Sequence, residues 1–175
     1  DIIWKSKVSE KVKIFGWRVA TNTLATKKNK WRRTLEMDST CTICGTAEED
    51  EYHVVVSCTK SCALRHEMRR QWDLPNDSLF RYTGEDWLQH LLSPCDGNTR
   101  SRILLLLWRC WFHCIHSSGK ELVSRSIAFL NQNEEELKGC DPSLGMVTGE
   151  NQRQKQLVTT AGGSSSGAHQ ARDMD

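Results

Sequence analysis

The residues best suited to chemistry in this chain are three cysteines and one histidine within eighteen consecutive positions. A C-x-x-C pair is followed after eight residues by a histidine, and after four more by a third cysteine. Zn²⁺ in proteins is bound tetrahedrally by Cys sulfur at ~2.3 Å and His nitrogen at ~2.0 Å, and a two-residue gap lets one turn aim two thiolates at the metal. The spacing therefore predicts one structural Zn²⁺ bound by Cys41, Cys44, His53 and Cys58.

Other interpretations of these residues remain open. The pair Cys41 and Cys44 could be reduced structural thiols or a redox-active disulfide. No helix N-terminus or βαβ pattern frames the pair, however, and the acidic stretch after it would raise rather than lower a thiol pKa. Cys62 lies one helical turn after Cys58, so a Cys₄ set without His53 is geometrically possible. The loop spacing of His53 favours the Cys₃His set.

A turn, an extended stretch and a helix must position these ligands. Gly45 directly follows the C-x-x-C pair and can adopt the left-handed backbone that closes a tight turn. The valines at 54–56 predict a short extended stretch that carries His53 back toward the pair. Cys58 then opens a helix that we predict to end at about Trp72.

Hydrophobic periodicity predicts a mainly α fold around this metal site. An amphipathic helix is expected over residues 8–24, and Thr26 is a suitable N-cap for a second, short basic helix. A short helix is predicted at 87–92 and a final amphipathic helix at 122–137. The apolar run 103–115 is too short and too interrupted by charge to span a membrane, so we expect it to be buried.

The predicted architecture is a small helical domain nucleated by a Cys₃His zinc knuckle, followed by two further helices and a disordered C-terminal tail. Residues 139–175 are dominated by Gly, Ser, Thr, Gln and Asn, a composition that cannot bury enough apolar surface to fold. The expected parts are a zinc-binding module at 1–74, a connector at 75–99, an apolar and an amphipathic helix at 100–138, and the tail at 139–175.

Charge is distributed unevenly although the net charge is only +2. Residues 1–33 carry ten Lys and Arg against two acids, whereas residues 36–51 carry six acids and no Lys or Arg. Three tryptophans alternate with these cations, and we expect them to be buried or half-buried rather than to stack on bases. The combination is compatible with a phosphate backbone and stacked bases, and also with a plain solvated face. The candidate nucleic-acid-binding residues are Lys11, Lys13, Arg18, Lys27, Lys28, Lys30, Arg32 and Arg33.

The N-terminus gives two expectations about cellular context. It has no feature of a signal peptide, so we expect reduced thiols and an intracellular location. It also begins without methionine, which suggests a piece of a longer protein.

An ordered series of motifs resembles the zinc-binding domain that follows the polymerase in plant non-LTR retrotransposon reverse transcriptases. The matching pieces are WKSKV at 4–8, KVKIFGWR at 11–18, LAT at 24–26 and the Cys and His set. Residues 103–137 resemble the segment that links that domain to a ribonuclease H. The chain departs from the family at Ser9 and Glu10, where a proline usually stands, and the expected ribonuclease H is replaced by the low-complexity tail.

The resemblance implies that Cys41, Cys44, His53 and Cys58 bind the metal, and that the basic helices work beside a polymerase domain on RNA or DNA. It also implies a nuclear location. Neither a Tyr-x-Asp-Asp motif nor a ribonuclease H acidic quartet is evident, so we predict a non-enzymatic accessory domain, a fragment or host-retained copy, with no catalytic residues, membrane or small-molecule substrate. The alternative is a protein–protein interaction domain that docks through its leucine-rich helix and has no nucleic-acid role.

Overall fold

The computed structural model describes residues 2–116 and 121–139, with side chains described for residues 2–112 and 124–133. A π-helical turn, His53–Ser57, and a 3₁₀ turn, Asp77–Phe80, accompany the α-helices, and one isolated antiparallel bridge joins Thr40 to Glu48. The predicted mainly α fold class is confirmed. The α-helices are α1 (Glu10–Ala20), α2 (Lys27–Arg32), α3 (Thr59–Arg69), α4 (Trp87–Leu92), α5 (Gly97–His116) and α6 (Glu121–Gly139).

Helix α5 forms the centre of the hydrophobic core. Its residues 103–107, one isoleucine and four leucines, are at most 4% exposed. They pack among the π-helical turn, α1, α3 and α6. The expected burial of the apolar run is confirmed for residues 103–107 and for Cys110. No helix in the described part of the chain is both long and apolar enough to cross a membrane.

Helix α1 approaches α5 closely at a glycine. A Cβ on Gly16 would lie 3.1 Å from Leu104 Cδ2 and 3.2 Å from Ile3 Cγ2, which is tighter than side chains normally pack. The side of α1 that is covered by this packing is apolar, and its other side is open to solvent. The buried apolar residues of α1 are Val12, Phe15 and Val19.

Helix α2 differs from α1 because the residue that it buries is polar. It contains six residues, of which only Asn29 is buried. The predicted N-cap is present, since Thr26 Oγ1 accepts a hydrogen bond from the Asn29 amide at 3.3 Å. A six-residue helix is not stable alone in water, so contacts with other parts of the protein must hold it.

One hydrophobic core runs from Val12 to Leu130 and includes Phe80, Trp87 and Leu91 of the predicted connector. Residues Asp1–Gly139 accordingly form one compact unit. Apolar side chains on either side of the predicted divisions at 74/75 and 99/100 share this core. The predicted disordered tail lies, from residue 140 onward, outside the part of the chain that the structure describes.

Candidate metal centre

Three of the four predicted ligands form a tight cluster. The ligand atoms of Cys41, Cys44 and His53 all lie within 4.8 Å of one another. Cys58 adjoins this cluster, with its Sγ 3.9 Å from Cys41 Sγ. On the other side, Cys44 Sγ lies 3.4 Å from His53 Nε2. The structure thus brings the predicted ligands together from two segments of the chain.

The two measured distances fit a tetrahedral zinc site. Metal–ligand bonds of ~2.3 Å to sulfur and ~2.0 Å to nitrogen imply tetrahedral edges of about 3.8 Å between two sulfurs and about 3.5 Å between sulfur and nitrogen. The Cys41–Cys58 distance of 3.9 Å and the Cys44–His53 distance of 3.4 Å match two opposite edges. Thiolate and imidazole are also the donors that Zn²⁺ prefers. The donor types and these two distances therefore suit Zn²⁺, with Cys58 beside the tight cluster of Cys41, Cys44 and His53 and not within it.

The first two ligands are presented by a tight turn. The Gly45 amide donates to the Cys41 carbonyl at 2.9 Å, and Gly45 has a φ of +66°, in the left-handed region that favours glycine. After the turn, the Cys41 amide donates to the Ala47 carbonyl at 2.9 Å. The bridge between Thr40 and Glu48 closes the same hairpin. The geometry is the zinc knuckle that the C-x-x-C-G sequence predicts.

The two knuckle thiols differ in their surroundings. Hydrogen bonds from the Thr46 hydroxyl and amide lower the pKa of Cys44 to about 7. Burial raises the pKa of Cys41 to about 11, and the neighbouring Cys58 adds to this rise. Because the thiolate is the metal ligand, Zn²⁺ binding must remove a proton from Cys41, whereas Cys44 is already about half ionised near neutral pH.

A π-helical turn carries His53 and Cys58, so the predicted extended stretch at 54–56 is wrong. The Cys58 amide donates to the His53 carbonyl at 2.8 Å, which is the five-residue spacing of a π-helix. The three valines are at most 2% exposed and pack in the core with α5. Their burial outweighs the modest preference of valine for strands. The π-helical turn also brings the chain back to the side on which His53 lies, so His53 and Cys58 are both beside the metal cluster.

The His53 side chain is held in a definite orientation. Its Nδ1 lies 3.2 Å from the Ser57 hydroxyl, and its Nε2 is the nitrogen directed at Cys44. Asp50 Oδ1 accepts a hydrogen bond from the His53 amide at 2.8 Å. A histidine that binds metal through one ring nitrogen usually has its other ring nitrogen hydrogen-bonded, as His53 Nδ1 is placed to be with Ser57. We did not predict Ser57 from the sequence, although its position one helical turn after His53 was a usable signal.

Cys62 lies apart from the metal cluster. Its thiol faces the Val56 carbonyl at 3.2 Å, and Arg65 Nη2 lies 3.7 Å from its sulfur. The Cys₄ alternative would require this side chain to leave both partners. The geometry therefore favours the set that contains His53.

The acidic residues beside the knuckle fold back onto α2. Lys28 Nζ lies 2.9 Å from the Glu48 carboxylate and 3.8 Å from that of Asp50. The backbone amides of Lys27 and Lys28 donate to the side chain and carbonyl of Glu49, each at 3.1 Å. Part of the acidic segment is thus paired with Lys28 of α2 at the protein surface.

A buried polar network strengthens the attachment of α2. The Asn29 side-chain amide donates to the Leu24 carbonyl at 2.9 Å and also to the Glu51 carboxylate. Burial raises the pKa of Glu51 above its ordinary value. Lys27 Nζ donates to the Thr40 carbonyl at 2.8 Å. Helix α2 is therefore held by polar contacts to the segment that carries the metal ligands.

The eight predicted nucleic-acid-binding residues fall into two groups. In the first, which we name the engaged lysines, each ammonium group contacts an acceptor in the fold, as Lys30 does with Glu36 at 3.8 Å. In the second, the open cations, the side chains are exposed and form no hydrogen bond or ion pair with other described residues, but Arg32 lies close enough to Glu48 and Glu51 to interact with them electrostatically. The engaged lysines are Lys13, Lys27, Lys28 and Lys30; the open cations are Lys11, Arg18, Arg32 and Arg33.

The tryptophans of the basic segment are half-buried, within the range that we expected. Trp4 is 45%, Trp17 46% and Trp31 49% exposed. Each therefore presents aromatic surface to solvent in a segment rich in cations. This surface is available for contact with a partner.

Comparison with known proteins agrees with the metal site. Residues 1–64 match the family described as zinc-binding in reverse transcriptase. Over this segment the chain is similar to that family. The match contains all four predicted ligands together with α1 and α2, so the resemblance seen in the sequence is confirmed. The hydrophobic core that contains the matched residues also includes α5, which lies beyond them.

A curated relative extends the similarity beyond the zinc-binding domain. A protein of Arabidopsis thaliana, provisionally named a ribonuclease H protein, is 29% identical over 122 residues. The alignment covers 63% of this chain and 19% of that protein, so the chain spans about a fifth of the relative's length. No solved structure matches the chain. The relative is consistent with a plant retroelement origin.

Proposed function

We propose that this chain is a non-catalytic accessory module of a retroelement reverse transcriptase, in which one zinc ion holds the fold and the basic N-terminal segment binds nucleic acid. When bound, the metal would cross-link the knuckle to the π-helical turn. A site with four protein ligands leaves no position for a reactive water, so its role is structural. The proposed ligands are Cys41, Cys44, His53 and Cys58.

The observation that supports nucleic-acid binding is the combination of open cations with exposed tryptophans. Cations that already have partners inside a protein gain little from a phosphate, whereas exposed cations can bind phosphates and release counterions. Of the exposed tryptophans, Trp17 lies directly beside the open cation Arg18 on α1. Aromatic faces beside cations are the surfaces on which unpaired bases stack.

The retroelement setting supports the rest of the proposal. The matched family is described by its place in reverse transcriptase, and the relative is named for ribonuclease H. We therefore include a polymerase domain as the neighbour of this module, and a nuclear location because integration takes place at chromosomal DNA. The same setting favours RNA or DNA, rather than a small molecule, as the partner of this module.

The structure argues against the alternative of docking through the leucine-rich helix. Leu104, Leu106 and Leu107 are at most 1% exposed, because the rest of the fold already covers them. A partner could reach them only after unfolding of this core. The apolar character of α5 is therefore explained by its place in the fold.

The experiment compares two variants of the zinc-loaded full chain in binding to labelled RNA and DNA over a range of salt concentrations. One variant replaces the four open cations by Gln, and the matched control replaces the four engaged lysines by Gln. The open-cation variant should bind more weakly to all sequences. Its slope of log affinity against log salt should fall by up to about 3 for single strands, at roughly 0.7 for each phosphate that is no longer neutralised.

The engaged-lysine variant should lose stability but keep most of its affinity. Equal effects of the two variants would contradict the division into engaged and open cations. Absence of salt-dependent binding by the wild-type chain would contradict the nucleic-acid role itself.

A further inference from the structure

We infer that the outer face of α1 binds single-stranded nucleic acid, with an unpaired base stacked on Trp17 and phosphates bound by Lys11 and Arg18. This inference rests on the proposed function and specifies the form of nucleic acid and the surface that binds it. The α1 outer face is defined as the exposed side of this helix, formed by Lys11, Ile14, Trp17 and Arg18.

Helical geometry makes these four residues one continuous surface. Residues three or four apart lie next to one another on a helix, so Ile14 is adjacent to Lys11, Trp17 and Arg18. The seven-residue separation of Lys11 and Arg18 places the two cations about 10 Å apart along the helix axis, with the apolar pair between them. The opposite side of α1 is fixed against α5, so this surface is carried on the core of the protein.

The chemistry of the α1 outer face suits an anion that also has flat apolar surfaces. Ile14 is 43% and Trp17 46% exposed. Burial of apolar side chains is favourable, so a partner that covers these two gains binding free energy. The acidic residue of α1, Glu10, is already paired with Lys13 at 2.9 Å. A phosphate approaching Lys11 and Arg18 therefore meets no unpaired carboxylate on this helix.

The apolar pair is the reason to expect single strands rather than a duplex. In a duplex each base face is covered by its neighbours, so a duplex offers mainly phosphates to such a surface. An unpaired base can instead lie on the indole and displace water from it. An acidic peptide could pair with the two cations but would leave Trp17 without a planar partner.

The test measures the affinity of the zinc-loaded full chain for a labelled single strand and for the duplex of the same sequence. Trp17→Leu keeps an apolar side chain but removes the stacking surface, and Trp17→Phe keeps an aromatic ring. Trp31→Leu is the matched control, because Trp31 has similar exposure but lies on α2. Thermal melting shows whether each variant remains folded.

We expect the wild-type chain to prefer the single strand. Trp17→Leu should weaken single-strand binding by roughly 5- to 150-fold, the range for one stacked base, and leave duplex binding nearly unchanged. Trp17→Phe and Trp31→Leu should retain most of the preference. The double variant Lys11→Gln/Arg18→Gln, which leaves the tryptophan in place, should lower the single-strand salt slope by about 1.4.

Equal affinity for the single strand and the duplex would overturn this inference and leave the proposed function intact. So would a loss of preference in Trp31→Leu but not in Trp17→Leu, or stronger binding of an acidic peptide than of either nucleic acid. No binding to either nucleic acid would overturn the proposed function as well.

Discussion

Helices α1 and α2 follow each other in the sequence and carry similar cations, but they are held in the fold by different forces. Helix α1 buries an apolar side against α5 and leaves Lys11 and Arg18 open to solvent. Helix α2 buries only Asn29, and the acidic segment around the knuckle contacts its lysines. One helix is therefore anchored by apolar burial, and the other by polar contacts to the metal-binding segment.

The difference shows that the charge of a segment does not by itself indicate a nucleic-acid site. Lys28 and Lys11 are equivalent in composition, but Lys28 has carboxylate partners in Glu48 and Asp50. The structure separates the two cases because the fold brings the acidic stretch onto only one of the two basic helices. A further consequence is that zinc, by ordering the knuckle, should also stabilise α2.

The largest expected effect is that of removing one metal ligand. Cys58→Ser should abolish or greatly weaken zinc binding and lower the free energy of unfolding by several kcal/mol, since a structural zinc contributes ~10–16 kcal/mol in small zinc-finger peptides. Hydrogen exchange should show that protection disappears in α2 and the knuckle before it disappears in α1. Metal content and hydrogen exchange of the full chain check this.

Cys62→Ser is the matched control, because this cysteine lies one helical turn away and faces the Val56 carbonyl. It should retain zinc and protection. If Cys62→Ser lost the metal while Cys58→Ser kept it, the ligand assignment would be wrong. Simultaneous loss of protection in α1 and α2 would break the distinction between the two helices.

A smaller effect is expected at the residue that orients His53. Ser57→Ala removes the hydroxyl 3.2 Å from His53 Nδ1 and should weaken zinc affinity by about 10- to 100-fold, as is typical when such a partner is removed. Ser57→Thr should restore most of the affinity because it keeps the hydroxyl. Competition with a chelator measures both variants, and equal affinity of Ser57→Ala and the wild type would exclude this role.

The pH dependence of zinc affinity should depend on Thr46. Above about pH 7 the Cys44 thiol is mostly ionised, and zinc must still remove the proton of Cys41, whose pKa is about 11. Below about pH 7 a further proton must leave Cys44, so affinity should fall more steeply as pH decreases. Thr46→Ala should raise the Cys44 pKa and move this steepening to higher pH, with about tenfold weaker binding at neutral pH for each unit by which the pKa rises.

Chelator competition across this pH range gives both curves. Thr42→Ala is a suitable control, since Thr42 is an exposed threonine of the same turn. Superimposable curves for Thr46→Ala and the wild type would contradict the role given to the Thr46 hydroxyl.

The smallest expected effect compares one lysine from each helix. Lys28→Gln removes the ion pairs with Glu48 and Asp50 and should cost about 0.2–1 kcal/mol of stability, the range for partly exposed pairs. Lys11→Gln should leave stability unchanged but weaken nucleic-acid binding. Denaturant unfolding should therefore show a loss of stability in Lys28→Gln, and binding measurements should show a loss of affinity in Lys11→Gln. The same effects in both variants would contradict the distinction between the two helices.

Local sequence signals predicted much of this fold. The apolar spacing of α1, the Thr26 cap and the apolar run of α5 each depend on neighbouring residues, and the helices lie where these signals place them. The knuckle was predictable for the same reason, because its turn is determined by a C-x-x-C pair and Gly45. The 3₁₀ turn Asp77–Phe80 has no strong local pattern and was not predicted.

Long-range packing explains what the sequence did not reveal. The valines at 54–56 favour strands locally, but burial with α5 holds them in a π-helical turn. Phe80, Trp87 and Leu91, which lie beyond the expected boundary after residue 74, enter the same core as α1 and α5. The attachment of α2 to the acidic segment was also missed, although the opposite charges of residues 1–33 and 36–51 were a signal for it.

The most direct test of this account is the zinc content and helical circular dichroism of the full chain before and after treatment with a strong chelator. The account predicts one zinc per chain, and a loss of helical signal with a much lower melting temperature once the metal is removed. A purified chain without zinc that retains its helical signal and melting temperature would contradict the structural role of the metal.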